Sequence, residues 1–352
     1  MAGAVTLLLA WPPTAWTQPV IVGTTYSAKQ SAYLGLEWQP VYLAILDQGV
    51  QIVRLGAYWS ELEPAEGHFV FDALDWQIAQ AARRGIPVVL TVGMKAPRWP
   101  EYFIPDWAVA DVRLRPGDDV SRHRPLRRRV LRFVAAVVRH YQDESAIRYW
   151  QVENEPVDRS GPWHWWIGPT LLRHEARLVR AADRHHRPVV INVATFPNLL
   201  HAIMNQLTAG VDGVQVGLEV GDVLALNVYP AVGQQVWKKK FYIWTQRHER
   251  ERLFATILRR AGEAGKPVWI TELQAEPWEP GQIVHTGEQN PPTAWPQATV
   301  ATFQEVHALG FPVILLWGAE YWYFRKLRYR DTAWWTTMTT LINGAAPEPA
   351  SR

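Results

Sequence analysis

Cysteine is missing from all 352 residues, which excludes a disulfide framework, a thiol nucleophile and a thiolate metal site. Charge of one sign is also missing. The 36 basic and 33 acidic side chains leave a net charge of +3, and the basic residues are spread along helical segments, so there is no nucleic-acid footprint. The short run Lys238 to Lys240 reads as the solvated start of a helix. No His-x-His or His-Glu-x-x-His spacing occurs, so no metal is expected, and there is no Gly-rich phosphate loop or Gly-x-Ser-x-Gly elbow. A cofactor-free reaction is therefore expected. Long apolar runs are absent too. Met1 to Ala10, with Leu7-Leu8-Leu9 and no preceding basic residue, falls short of the roughly 20 residues a bilayer span needs. Residues 1–18, with Pro12 and Pro13, read as an apolar, Pro-rich lead, a remnant of a signal or anchor. That reading favours an extracellular or envelope location, and the alternative is cytoplasmic.

Tryptophan is abundant instead. Twenty residues exceed what a core requires, and flat indole faces suit the apolar faces of sugars. From residue 19 to 345 strand-like and helix-like stretches alternate with no repeat and no linker. The strand candidates are 20–23, 51–58, 86–92, 147–152, 188–194, 222–229, 266–272 and 311–318. Helical spacing covers 37–47, 72–84 (with Asp72 and Asp75 as a capping-box-like pair), 125–141, 169–184, 198–207, 240–264, 293–309 and a stretch from about Asp331. Residues 211–221 read ambiguously, with an extra hairpin as one option. Eight such units predict the α/β class, as a single (β/α)8 TIM barrel.

Two strand candidates end in acid. Ile147 to Pro156 (IRYWQVENEP) runs into Asn154-Glu155-Pro156, and Pro156 stops the strand. Lys266 to Glu272 (KPVWITE) has the same apolar-run-then-Glu design 117 positions later (272 − 155). Carboxylates at the carboxyl edge of a parallel sheet stand where such folds place chemistry, and acid/base work on a neutral substrate needs a pair of them. Arg54 interrupts an otherwise apolar strand, so its charge must be paired or face a polar cavity.

Asn-Glu-Pro closing the fourth strand and Thr-Glu closing the seventh resemble clan A, the retaining glycoside hydrolases that include cellulases, mannanases, xylanases and β-galactosidases. Trp59 to Asp72 (WSELEPAEGHFVFD) is similar to a loop of the barrel β-galactosidases, as is Lys95-Ala-Pro-Arg-Trp99-Pro. The resemblance implies Glu155 as acid/base and Glu272 as nucleophile. It implies that Arg54 and Tyr229 support the nucleophile, that Asn154 binds the sugar 2-hydroxyl, and that Trp317 is the sugar platform. Where several clan families have His two residues before that Tyr, this chain has Asn227. Further candidates for substrate contact are Trp59, Trp99 and Trp163 on rim loops, with Gln274, Glu276, Glu320 and Trp322. Glu276 also reads as a loop residue paired with an arginine.

The expected partner is a carbohydrate substrate, with no nucleic acid and no membrane-spanning segment in the barrel. The loop tryptophans favour a β-linked glucan, mannan or xylan. The alternatives are an exo-acting enzyme like β-galactosidase or β-glucosidase, and a catalytically inactive glycan-binding barrel.

Overall fold

The computed structural model describes residues 20–195, 210–280 and 291–344. The Met1 to Ala10 lead and the expected helix at 198–207 lie outside them, as does part of the loop after the seventh strand. In chain order the elements are β1 (Ile21–Thr25), α1 (Ala28–Tyr33), α2 (Trp38–Leu46), β2 (Val53–Gly56), α3 (Trp59–Leu62), α4 (Asp72–Arg83), β3 (Val88–Val92), α5 (Asp106–Val109), α6 (Arg124–His140), β4 (Ile147–Val152), α7 (Pro169–Ala182) and β5 (Val189–Thr195). They continue as α8 (Gly213–Val220), β6 (Val223–Val228), β7 (Ala231–Val236), β8 (Lys239–Trp244), α9 (Arg247–Glu263), β9 (Val268–Gln274), α10 (Pro296–Ala308), β10 (Val313–Trp317), α11 (Ala319–Tyr329) and α12 (Ala333–Gly344).

Eight parallel strands close into a barrel in the order β1-β10-β9-β6-β5-β4-β3-β2. The strands are apolar on both faces because both faces are covered, the outer one by helices and the inner one by the opposite wall. Ile52, Val89, Val190, Val223, Ala225, Trp269, Val313 and Leu315 form a separate apolar cluster, with Tyr149 packed against it. Tyr149 meets Trp269 edge to face at 4.6 Å between centroids. Side chains alternate along a strand, so the positions two residues on return to the same side. Those positions, Arg54, Thr91, Gln151, Asn192, Asn227, Thr271 and Trp317, form the next layer toward the carboxyl ends. An apolar floor thus carries a polar layer, and the layer sits at the rim where barrel loops converge.

Three elements depart from the sequence reading. Residues 240–264 do not form one helix: β7 and β8 pair as an antiparallel hairpin, and α9 starts at Arg247. The aromatic, β-branched run Phe241-Tyr242-Ile243-Trp244 takes the extended form, and a capping box between Gln246 and Glu249 opens the helix. Lys238 to Lys240 consequently lies at the hairpin turn and the start of β8. Residues 213–220 are helical, capped by Asp212, whose side chain accepts from Gln215 N. Asp72 is not a cap, since the cap position falls on Phe71 with no side-chain bond, and Asp75 instead meets His140 at 2.9 Å.

Candidate active site

Glu155 and Glu272 stand on the same rim. Glu272 lies on β9, directly beside Asn227 of β6, at a point where the register between the two strands shifts. Such a shift lets consecutive residues, here Thr271 and Glu272, both reach inward. Thr271 Oγ1 donates to Asn227 Oδ1 at 2.8 Å, and Arg54 and Tyr229 both donate to the Glu272 carboxylate. Arg54 is fully buried, and its Nε also donates to Thr25 Oγ1 at 2.8 Å. The charge in the middle of β2 is therefore paired with Glu272, whose carboxylate accepts two charge-assisted or hydroxyl hydrogen bonds.

Glu155 is built differently. It follows β4 at φ 46°, with Glu153 at φ 59°, a left-handed backbone that non-glycine residues seldom adopt away from functional sites. Asn192, the polar interruption of β5, accepts from Glu155 N at 2.8 Å and donates to Asn154 Oδ1 at 2.8 Å. The Asn227 amide, oriented by Thr271, donates to Glu155 Oε1 at 2.8 Å. Asn227 therefore touches one carboxyl with its side chain and lies beside the other in the sheet. Burial pushes the Glu155 carboxyl up to about 8, with the Lys95 ammonium opposing and Glu272 adding to the rise. The Lys95 ammonium directs its donors to Glu155 O at 2.7 Å, Asp158 O at 3.4 Å and Glu101 at 3.3 Å.

A second carboxyl pair lies beneath this loop. Glu153 accepts from Met94 N at 2.9 Å and Lys95 N at 2.6 Å, so it fastens the β3 loop to the tip of β4. It is fully buried beside Glu175 of α7, also fully buried, and burial raises both carboxyls. Gly93 has to be glycine at this contact. Its φ is 132°, and a Cβ there would come within 2.3 Å of the Glu153 carboxyl carbon.

The remaining expected contacts divide. Asn154 presents its amide nitrogen, because its oxygen is held by Asn192, with Arg54 Nη1 at 3.5 Å. Trp317 ends β10 with the Arg98 guanidinium 3.9 Å from its ring centroid. Trp99 and Trp163 are 42% and 53% exposed on the rim loops and free to meet a ligand. Trp59, by contrast, is core: it stacks on Phe133 and donates to Glu63 at 2.8 Å. Trp322 is likewise fully buried, donating to Ala275 O at 2.6 Å. Gln274 spends its amide on the backbone of Ala231, accepting at 3.1 Å and donating at 2.7 Å. Glu276 and Glu320 both pair with Arg98; Glu320 is fully buried, and Glu276 is partly exposed.

Lys95, Arg98, Asn192, Gln151 and Trp278 belong to the assembly without having been singled out. Trp278 packs edge to face on Tyr229 at 5.0 Å. Asn192 and Gln151 carried the same signal as Arg54, a polar residue at an inward position of an apolar strand. Among the described residues no three His, Asp or Glu side chains come together to hold a metal, and no helix is long and apolar enough to cross a membrane.

A family model described as beta-galactosidase matches residues 36–165, a stretch that includes Arg54 and Glu155 but stops short of Glu272. The chain is 28% identical over 134 residues to Beta-galactosidase Bga of Halorubrum lacusprofundi, which is 34% of this chain and 18% of that protein. It superposes on the polyextremophilic β-galactosidase of the Antarctic haloarchaeon Halorubrum lacusprofundi with TM-score 0.53 and 19% identity, over 84% of this chain and 52% of that one. The cold-adapted β-galactosidase of Rahnella sp. R3 gives TM-score 0.58 at 15% identity, over 86% and 51% of the two chains. A Thermotoga petrophila RKU-1 xylanase solved with xylobiose gives 0.55 at 13%, over 86% and 83%. The chain thus spans about half the length of the solved β-galactosidases it matches (52% and 51%). It has the barrel fold of the clan A glycoside hydrolases and, over residues 36–165, the sequence pattern of their β-galactosidases.

Proposed function

We propose that this chain is a retaining β-glycosidase whose preferred glycone is a β-galactosyl unit. The supporting observation is the unequal treatment of two carboxyls on one rim: Glu272 is held by Arg54 and Tyr229, while Glu155 is buried and raised toward neutrality. A glycosidic bond breaks when its leaving oxygen gains a proton as negative charge meets the forming oxocarbenium centre. In this reading Glu155 donates the proton and Glu272 attacks the anomeric carbon, forming a glycosyl ester. Forming the ester removes the Glu272 charge, so the Glu155 carboxyl falls in pKa and can draw a proton from the water that hydrolyses the intermediate. The free Asn154 amide reaches the 2-hydroxyl.

The sequence reading favoured a glucan, mannan or xylan. The match to the β-galactosidase family over the segment carrying Arg54 and Glu155 favours the galactoside alternative, while the xylanase superposition speaks for the fold alone. A panel of nitrophenyl β-glycosides tests this: the galactoside should be turned over fastest, and silence across every β-linked hexoside and pentoside would refute it. Tight sugar binding with no turnover would favour the inactive glycan-binding barrel.

The acid role carries a sign. Glu155 must be protonated in the free protein, so kcat/KM should hold steady up to about pH 8 and fall tenfold per unit above it. A profile still rising at pH 9 would contradict the assignment.

A further inference from the structure

Glu175 has no role in the mechanism above, and an acid is out of place where it stands. It belongs to the buried stripe of α7, in line with Leu171, Leu172 and Val179, and is itself fully buried. Among the described residues no hydrogen-bond donor reaches either of its carboxyl oxygens. What does reach it is another acid. The Glu153 carboxyl lies within hydrogen-bonding range, and no other charged group bears on Glu175.

Two acceptors in contact are joined only by a proton, and two ionised carboxyls in a dry interior would repel with nothing to solvate them. That proton belongs to Glu175. Glu153 already has its charge answered by Met94 N, Lys95 N and the nearby Lys95 ammonium, while the Tyr102 hydroxyl that also faces it brings no charge. Glu175 has no such donors, so burial holds its carboxyl well above the usual range.

What Glu153 holds bears on the reaction. Its N–H donates to Val92 O at 2.8 Å, and Asn154 N donates to Lys95 O at 2.9 Å, so the β3 loop and the tip of β4 are laced together. Lys95 then fixes the Glu155 carbonyl, within the left-handed turn that Glu153 and Glu155 share. Glu175 is thus the point at which the helix layer grips the loop that carries the acid.

We propose that Glu175 is a positioning residue: it stays protonated, donates that proton to the Glu153 carboxylate, and by this clasp holds the tips of β3 and β4 so that Glu155 is aimed at the leaving group. The consequence for the reaction rests on the β-glycosidase reading; the clasp itself does not.

The test compares the full-length protein with Glu175→Gln, whose amide donates in the same place but cannot ionise, and with Glu175→Leu, which has no donor. In the wild-type minus Glu175→Gln infrared difference spectrum at pH 7, the carbonyl stretch of a protonated carboxyl should be present. The stability that the wild type draws from this group is full below the ordinary glutamate value of about 4.5 and is lost as the pH rises toward the folded-state value. The melting temperature of Glu175→Gln relative to wild type should therefore climb by about 2 °C or more between pH 5 and pH 9. Glu175→Gln should keep kcat within about twofold at pH 6, whereas Glu175→Leu should lose about 10-fold or more on an alkyl β-glycoside and under about threefold on the dinitrophenyl one.

A missing carboxyl band, or a melting difference that does not change with pH, overturns the proposal, and neither measurement needs Glu175→Leu to fold. Equal losses on both leaving groups in a folded Glu175→Leu overturn the positioning role. A wild type silent on every β-glycoside would instead defeat the underlying function, and the infrared and melting results would still judge the clasp.

Discussion

Glu272→Gln should lower kcat by on the order of 10^4-fold or more on every substrate, because the atom that forms the glycosyl bond is gone. The choice of glutamine follows from the packing. Glu272 is the carboxylate partner of Arg54, a fully buried cation. Alanine would leave that charge unpaired at a cost of about 3–5 kcal/mol, whereas an amide oxygen still accepts from it. A loss of activity in the glutamine variant with a near-unchanged melting curve therefore reports on chemistry. In the alanine variant, a small anion such as azide should enter the vacated space and yield a glycosyl azide of α configuration. Normal turnover by Glu272→Gln would move the nucleophile elsewhere, with Glu276, just past the end of β9, the first position to examine.

Glu155→Gln should divide substrates by leaving group. A poorly departing sugar alcohol needs the proton and should slow by about 10^3- to 10^4-fold, while a dinitrophenolate, which leaves unaided, should form the ester almost normally. Deglycosylation then becomes limiting, and azide should accelerate it with a β-glycosyl azide as product. The fall in kcat/KM near pH 8 should vanish with the carboxyl that causes it. An equal loss across leaving groups, with the alkaline fall intact, would mean that Glu155 only holds the loop.

Much of this site was legible because barrels place strand ends together, so a glutamate closing an apolar run announces itself. Arg54 was legible for a related reason: a charge in a buried strand has to be answered, and Glu272 answers it. The polar layer around it was harder to read. Asn192 and Asn227 each look like one tolerated polar residue within a strand, and only closure of the barrel turns them into a chain of hydrogen bonds reaching Glu155. The tryptophans show the limit of composition. Trp59 and Trp99 both stand at rim loops in sequence, yet one is core and the other 42% exposed: Trp59 opens α3, which packs its indole on Phe133, whereas Trp99 lies on the loop after β3. Arg98 carried no pattern at all. Its partners come from Glu276 and Glu320, 178 and 222 residues away.

The central claim is a division of labour between two carboxyls, and trapping the intermediate tests it most directly. A 2-deoxy-2-fluoro-β-galactoside with a good leaving group should inactivate the protein with one-to-one stoichiometry. Peptide mass spectrometry should then place the fluorosugar on Glu272. A sugar found on Glu155 or Glu276, or steady turnover with no covalent adduct, would contradict it.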